Sequence, residues 1–331
     1  MRRAMHFLPL VCALLLAAVG PMLGPYLGDL VVKVMILSIF ALSLELLVGM
    51  TGLVSLGHAA FYGIGAYATV LGSGAEGGSI GWLLPLAMGC AAAYALVVGA
   101  LSLRTRGVYF IMVTLAFAQM AYFVFHDTKL GGGSDGIYLY VRPTLQWFGT
   151  VALDMENRRT QFYVVLAALA ATYGLLALVR RSRFGAALAG IRVNEQRMRA
   201  AGFPVYGYKL AAFVLAGALA GLAGFLLAAR DGVVNPELMA WHSSGEVLLM
   251  IILGGLGHLR GAVLGAVAFT LLKELLSTHA LVGPLADHWQ LTLGLAIIGF
   301  VALLPKGLIG LAARLQPSRP RATPVAAEAK A

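Results

Sequence analysis

The chain has 331 residues, 60% of them hydrophobic and only 11% charged, with a formal net charge of +10. Charged residues supply about a quarter of an ordinary soluble domain, so this composition excludes one. The basic excess sits in short segments beside apolar runs, which is the pattern of membrane topology rather than of nucleic-acid binding.

A membrane helix needs about 20 mostly apolar residues to cross roughly 30 Å of hydrocarbon. Apolar runs occupy 6–26, 30–49, 52–72, 82–102, 107–126, 161–179, 209–229, 245–258, 262–282 and 287–305. They predict an all-α fold, a polytopic transmembrane helical bundle of about ten spans filling a membrane domain over 1–316. The runs are continuous and rich in Leu, Ala and Gly, which sets aside a barrel of alternating strands. The third and eighth, 52–72 and 245–258, are short or interrupted by glycine, so each either crosses or re-enters.

The first run opens on Arg2 and Arg3, as a signal peptide would. It continues through Leu23 without a small-x-small stop, which favours a retained helix. Cys12 and Cys90 both lie in apolar runs, where neither a disulfide nor a zinc site is expected. Two connections are long. The segment 127–160 carries Gly131, Gly132, Gly133, Ser134, Asp135 and Gly136 and then mixed charges; it reads as an outer, periplasmic surface loop. The segment 180–208 is strongly basic, and its middle, 185–201, predicts one short amphipathic helix along the membrane face. The tail 317–331, rich in Pro, Ala and Arg, reads as disordered and cytoplasmic.

Orientation follows from the Lys/Arg bias. Arg2 and Arg3, Arg104 and Arg106, the run from Arg180 to Arg199, and Lys306 through Arg321 all fall on the cytoplasmic side if the chain crosses ten times, with both termini inside. One internal echo spans two hundred residues: Leu56-Gly57-His58 with Gly65-Ala66 returns as Leu256-Gly257-His258 with Gly265-Ala266. It marks either two corresponding halves or a coincidence in a Gly/Ala-rich chain.

Much catalytic chemistry is missing from the sequence. There is no G-x-x-x-x-G-K-[ST] loop for nucleotide phosphates, no H-E-x-x-H or Cys/His ligand cluster, and no G-x-S-x-G elbow. Neither an enzyme nor a cofactor or metal site is expected, and ATP-driven work would need another polypeptide.

Several ordered blocks carry a resemblance. Gly49-Met50-Thr51-Gly52-Leu53-Val54-Ser55-Leu56-Gly57-His58-Ala59-Ala60-Phe61-Tyr62-Gly63-Ile64-Gly65-Ala66-Tyr67 is followed by Arg106-Gly107-Val108-Tyr109-Phe110 and Thr114-Leu115-Ala116-Phe117-Ala118-Gln119-Met120. Gly132-Gly133-Ser134-Asp135-Gly136 comes next, then Gly254-Gly255-Leu256-Gly257 leading to Gly261-Ala262-Val263-Leu264-Gly265-Ala266. Together, over about 30–305, these resemble the LivM-type permeases of branched-chain amino acid ABC importers; related permeases for urea or short amides share the pattern. The resemblance implies a bacterial inner-membrane permease working with a homologous second permease, two cytoplasmic ATP-binding subunits and a periplasmic substrate-binding protein. The lipid bilayer surrounds it and no nucleic acid is involved.

The resemblance also makes 180–208 the segment that engages the ATPases, with Arg192, Glu195 and Arg199 exposed for pairing and Gly202 at its end. The importer "EAA...G" pattern is matched only in part, because Glu195 is separated from Ala200-Ala201 and Gly202. Elsewhere, Gly57, Gly63 and Gly65 crowd a short run with Ser55 and His58, as in interrupted helices that line substrate sites. Ser55, His58, Thr114 and Gln119 are accordingly candidate pathway residues. For His58 a hydrogen-bonded packing role is the competing reading. The glycines Gly57, Gly63, Gly65, Gly254, Gly255 and Gly257 read as structural, and those at Gly20, Gly24, Gly28, Gly217, Gly221 and Gly224 as faces for close helix packing. Glu45 and Glu246 are the acids inside or at the edge of apolar runs, and Glu45 stands where the family carries an amide or Asp.

Overall fold

The computed structural model describes residues 15–18, 20, 24–74, 77–147, 150–278, 283, 288–304 and 306–314. The expectations for the first run (6–26) fall mostly outside these residues. Those for Arg2, Arg3, Cys12 and the tail 317–331 do so completely.

The helices in chain order are α1 (Pro25–Glu45), α2 (His58–Ser73), α3 (Ile80–Ser102), α4 (Val108–Asp127), α5 (Arg158–Arg181), α6 (Arg183–Val193) and α7 (Glu195–Ala200). They continue with α8 (Val205–Asp231), α9 (Trp241–Gly254), α10 (Leu259–Ser277), α11 (Trp289–Leu303) and α12 (Gly307–Arg314). The fold is the all-α bundle expected, but the span count differs. Among the described residues six stretches are long and apolar enough to cross a membrane: Pro25–Thr51, Ile80–Ser102, Val108–Asp127, Arg158–Arg181, Val205–Asp231 and Trp289–Gly310. A seventh results if α9 and α10, bent by 114° at the break between them, make one broken span. Among the described residues apolar length alone overcounts because run 52–72 becomes the short α2, while runs 245–258 and 262–282 become the bent pair α9 and α10.

The first of these runs is 52–72. After α1 the chain makes a wide π-helical turn, Leu46–Thr51, and stops at Gly52, whose φ of 75° only glycine adopts freely. Gly52 to Gly57 is non-helical, and the 16-residue α2 begins only at His58. The second is α9, 14 residues long, ended by Gly255 at φ 115°. Both copies of the sequence echo therefore fall in the same local situation: Leu56-Gly57-His58 leads into α2 and Leu256-Gly257-His258 leads into α10.

The packing follows from small residues. On α3 the buried positions Leu83, Ala87, Ala91 and Ala95 recur every fourth residue and so share one face. Gly217 and Gly221 of α8 lie against Ala95, Ala91 and Ala87, while Gly65 of α2 and Gly221 are in backbone contact. Close backbone approach of this kind is how helices associate where lipid is as apolar as their side chains. Helix α8 is thus held between α2, α3 and α1. The reading of Gly217, Gly221 and Gly224 as a packing face holds, whereas Gly24 and Gly28 meet nothing within 4 Å among the described residues.

The bundle has two distinct ends. At one, Tyr206 donates to the carbonyl of Ala100 over 2.8 Å and Arg106 reaches Glu195, gathering the ends of α3, α5 and α8 beside α6 and α7; this is the basic end. At the other, the connection after α4 is not a bare tether. It makes 3-10 turns at Lys129–Gly131 and Gly133–Asp135, then strands β1 (Ile137–Tyr138), β2 (Thr144–Trp147) and β3 (Thr150–Asp154). β2 and β3 form an antiparallel hairpin. β1 pairs antiparallel with β4 (Val233–Val234), Ile137 opposite Val234, stitching this connection to the chain that leaves α8.

Candidate functional site

The candidate pathway residues come together in part. Ser55, His58 and Thr114 are all fully buried. The Ser55 hydroxyl accepts from the backbone N–H of Gly57 at 3.2 Å. A Cβ on Gly57 would overlap the carbonyl of Thr114, so glycine there lets the non-helical segment lie directly on α4. His58 Nε2 and Ser43 Oγ are 2.7 Å apart, the ring stacks on Phe40 at 5.6 Å between centroids, and Phe61 meets it edge-on. Its Nδ1 has no hydrogen-bond partner among the described residues. Next to it, the Ser244 hydroxyl of α9 accepts from the N–H of Ala59 at 2.9 Å, satisfying one of the free donors at the start of α2. Gln119 is half-buried further along α4 and stands apart from this cluster.

Of the structural glycines, Gly57, Gly63, Gly65 and Gly254 make close contacts, while Gly255 and Gly257 hold positive φ. Gly63 faces Met239, and Gly254 lies against Gly261 and Gly265 of α10, so the sharp bend between α9 and α10 is built on three residues without side chains.

At the basic end the structure divides the expected single helix 185–201 in two. Asn194 leaves helical geometry and its side chain accepts from the N–H of Arg197 at 2.9 Å, an N-cap that starts α7 with Glu195 in its first turn. Ser182 caps α6 in the same way through Gly185 N–H. Helix α6 buries Gly185, Ala187, Leu188 and Ile191 on the bundle. Helix α7 buries nothing. It ends in a Schellman arrangement: Gly202 N–H donates to Arg199 and Phe203 N–H to Met198. The φ of Gly202, 84°, is the left-handed value this requires.

The charged residues here are not all turned outward. Glu195 receives Lys209 of α8 at 2.7 Å on one oxygen and Arg199 on the other, with Arg106 at 3.9 Å. Burial opposes its ionisation, but the Lys209 hydrogen bond and then the charges of Lys209, Arg199 and Arg106 hold its carboxyl below the usual range. Arg192 donates to the carbonyl of Gly49 in the π-helical turn. Arg192 lines a cavity of about 450 Å³ together with Arg180, Glu45 and Gly257. Glu45 is buried, one of its oxygens has no hydrogen-bond partner among the described residues, and the backbone of Gly257 and His258 faces it.

The sequence missed Ser43, Ser244, Lys209 and Arg106. Lys209 was within reach in principle, since it follows Glu195 across a short connection; Ser43 and Ser244 carry no signal beyond being polar inside apolar runs.

A bundle of apolar helices with internal breaks and a segmented basic end is what the comparisons then place among known proteins. Residues 26–304 match the family described as "Branched-chain amino acid transport system / permease component". The chain belongs to this family. The permease is 32% identical to the high-affinity branched-chain amino acid transport system permease protein LivM of Escherichia coli (strain K12), over 91% of this chain and 74% of that one. It is 32% identical to LivM of Salmonella typhimurium over 85% and 69%. To the E. coli permease protein LivH it is 23% identical, over 82% and 91%. Among solved structures, PsaBC from Streptococcus pneumoniae in complex with Fab aligns with the permease at a TM-score of 0.49 and 13% identity, over 88% and 96%, too distant for inference.

Proposed function

We propose that this permease forms one half of the channel of an ATP-driven importer that carries leucine, isoleucine and valine across the bacterial inner membrane. The observation that carries the reading is the family match over 26–304 together with identity to LivM along nearly the whole chain. Likeness to both LivM and LivH supports a channel shared with a homologous second permease. The sequence holds no P-loop, so ATP is hydrolysed on two cytoplasmic subunits, and a periplasmic binding protein delivers the cargo.

In this reading the basic end faces the cytoplasm, as Lys/Arg bias directs, and both termini lie there. The segment 180–208 seats on the ATPases, α7 presenting Arg199 while Glu195 and Gly202 fix its position. Arg192 passes movement to the end of α1. Ser55, His58, Thr114 and Gln119 stand beside the translocation pathway. Selection of cargo rests largely with the binding protein.

Reconstitution tests it. Proteoliposomes holding this chain, its homologous partner, the ATPases and the binding protein should accumulate labelled leucine only with ATP. Accumulation of urea or acetamide in place of leucine would replace the cargo, and uptake by this chain alone would end the model.

A further inference from the structure

A second cavity, also about 450 Å³, lies at the end of the bundle opposite the basic one, between α1, α8, α9, α10 and the start of α11. Its size is within the roughly 300–1,000 Å³ of small-molecule sites. The floor is apolar: Ile36, Phe40, Tyr62, Met250 and Phe269 line it, each no more than 4% exposed. Phe40 and Tyr62 stack at 4.5 Å and give it a flat aromatic wall.

The rim is different in kind. Lys33, Arg230 and Lys273 alternate there with Asp231, Glu246 and Glu274, so opposite charges balance. Arg230 is paired with Asp231 at 2.6 Å and Lys273 with Glu246 at 3.0 Å, the Lys273 ammonium also lying 5.1 Å from the Trp289 ring centre. Lys33 makes no hydrogen bond among the described residues, though it is within electrostatic reach of Asp231.

Ionisable groups beside hydrocarbon are costly and mark ligand or ion paths. A net-charged ligand would upset this balance. A small neutral one such as urea would neither cover the greasy floor nor use the rim. A molecule carrying one positive and one negative group on a single carbon, with an aliphatic branch below, uses both. We propose that this cup is a subsite for a zwitterionic aliphatic amino acid, its carboxylate at Lys33 and Arg230, its ammonium at Glu246, and its side chain on Phe40, Tyr62 and Phe269.

The proposal rests on the amino-acid importer reading, and the test separates the two. The assembled complex of both permeases and ATPases, without binding protein, is placed in nanodiscs and titrated with labelled leucine. Saturable binding is expected, displaced by valine and isoleucine and at least about tenfold more weakly by leucinamide or 4-methylpentanoate, each of which lacks one charge. Glu246→Gln should weaken leucine by about tenfold or more, and Val247→Trp, which fills the cup, should abolish it. Absence of saturable binding, equal displacement by the singly charged analogues, or undiminished affinity in both variants overturns the subsite. The analogue series uses the unmodified complex, so it decides even if a variant misfolds. ATP-dependent leucine uptake by the complete system that persists alongside such a result leaves the importer reading intact.

Discussion

Lys209 of α8 and Glu195 of α7 meet at 2.7 Å, so the most exposed helix of the basic segment is tied by charge to one of the most buried helices of the bundle. Both side chains are largely screened from solvent, 14% and 24% exposed, which sets this pair above an ordinary surface ion pair. Lys209→Met should destabilise the chain by about 1 kcal/mol and, more visibly, free α7. Faster labelling of a cysteine placed at Gln196 in the variant is the readout, and unchanged labelling would deny the tie.

The same pair fixes a pH response. The Glu195 carboxyl is held below its ordinary value of 4.5, so its contribution to stability is complete above that value and is lost as pH falls through the lowered one. Hydrogen exchange across α7 should accelerate only in that acidic window. Glu195→Gln should exchange fast at every pH.

Arg192 joins α6 to the wide turn ending α1 through the Gly49 carbonyl, with Glu45 lining the same cavity. Reversing the charge in Arg192→Glu removes the link and sets two acids at one cavity. Under the importer reading, the double variant Arg192→Glu/Glu195→Arg should continue to bind ATPases while leucine carried per ATP falls about tenfold. Proteoliposomes assayed for both quantities give the ratio; unchanged coupling would detach this segment from the drive.

Glycine substitutions should separate sharply by place. A methyl at Gly265 meets the carbonyl of Met250, backbone that cannot rotate aside, so Gly265→Ala should cost about 1–3 kcal/mol and lower the melting temperature. Gly174 in α5 has nothing within 4 Å, and Gly174→Ala should be neutral or slightly stabilising by helix propensity, by about 0.5–1 kcal/mol. Melting of the two variants in one detergent makes the comparison.

His58 depends on Ser43 for its single polar contact among the described residues. Ser43→Ala leaves the imidazole buried without any partner, at a cost of about 1–3 kcal/mol. Denaturation of the purified chain measures this, and an unaltered midpoint would mean that the ring finds another acceptor.

Apolar length made the bundle legible, and Arg-rich stretches marked its basic end. Length could not say where α1 would spend its last turn as a π-helix or that Gly52 would turn the chain back inside, so the glycines of run 52–72 left open whether it crosses or re-enters. The continuous amphipathic pattern over 185–201 hid the break at Asn194, which the folded chain uses as an N-cap. Pairs such as Ser43 with His58 or Ser244 with Ala59 join segments that only tertiary packing brings together, and no local periodicity encodes them. For the candidate site, the glycines were readable because close backbone approach admits little else; which polar neighbours they admit was not.

The two rungs between Ile137–Tyr138 and Val233–Val234 have a practical corollary. Leu139 N–H adds a bond to the Gly232 carbonyl at 2.8 Å, so the chain is clamped up to that point, and Tyr140 just beyond it stands 86% exposed. An epitope or fluorophore graft between Tyr140 and Val141 would ride on a fixed mount, whereas the same graft three residues earlier would pry the mount apart.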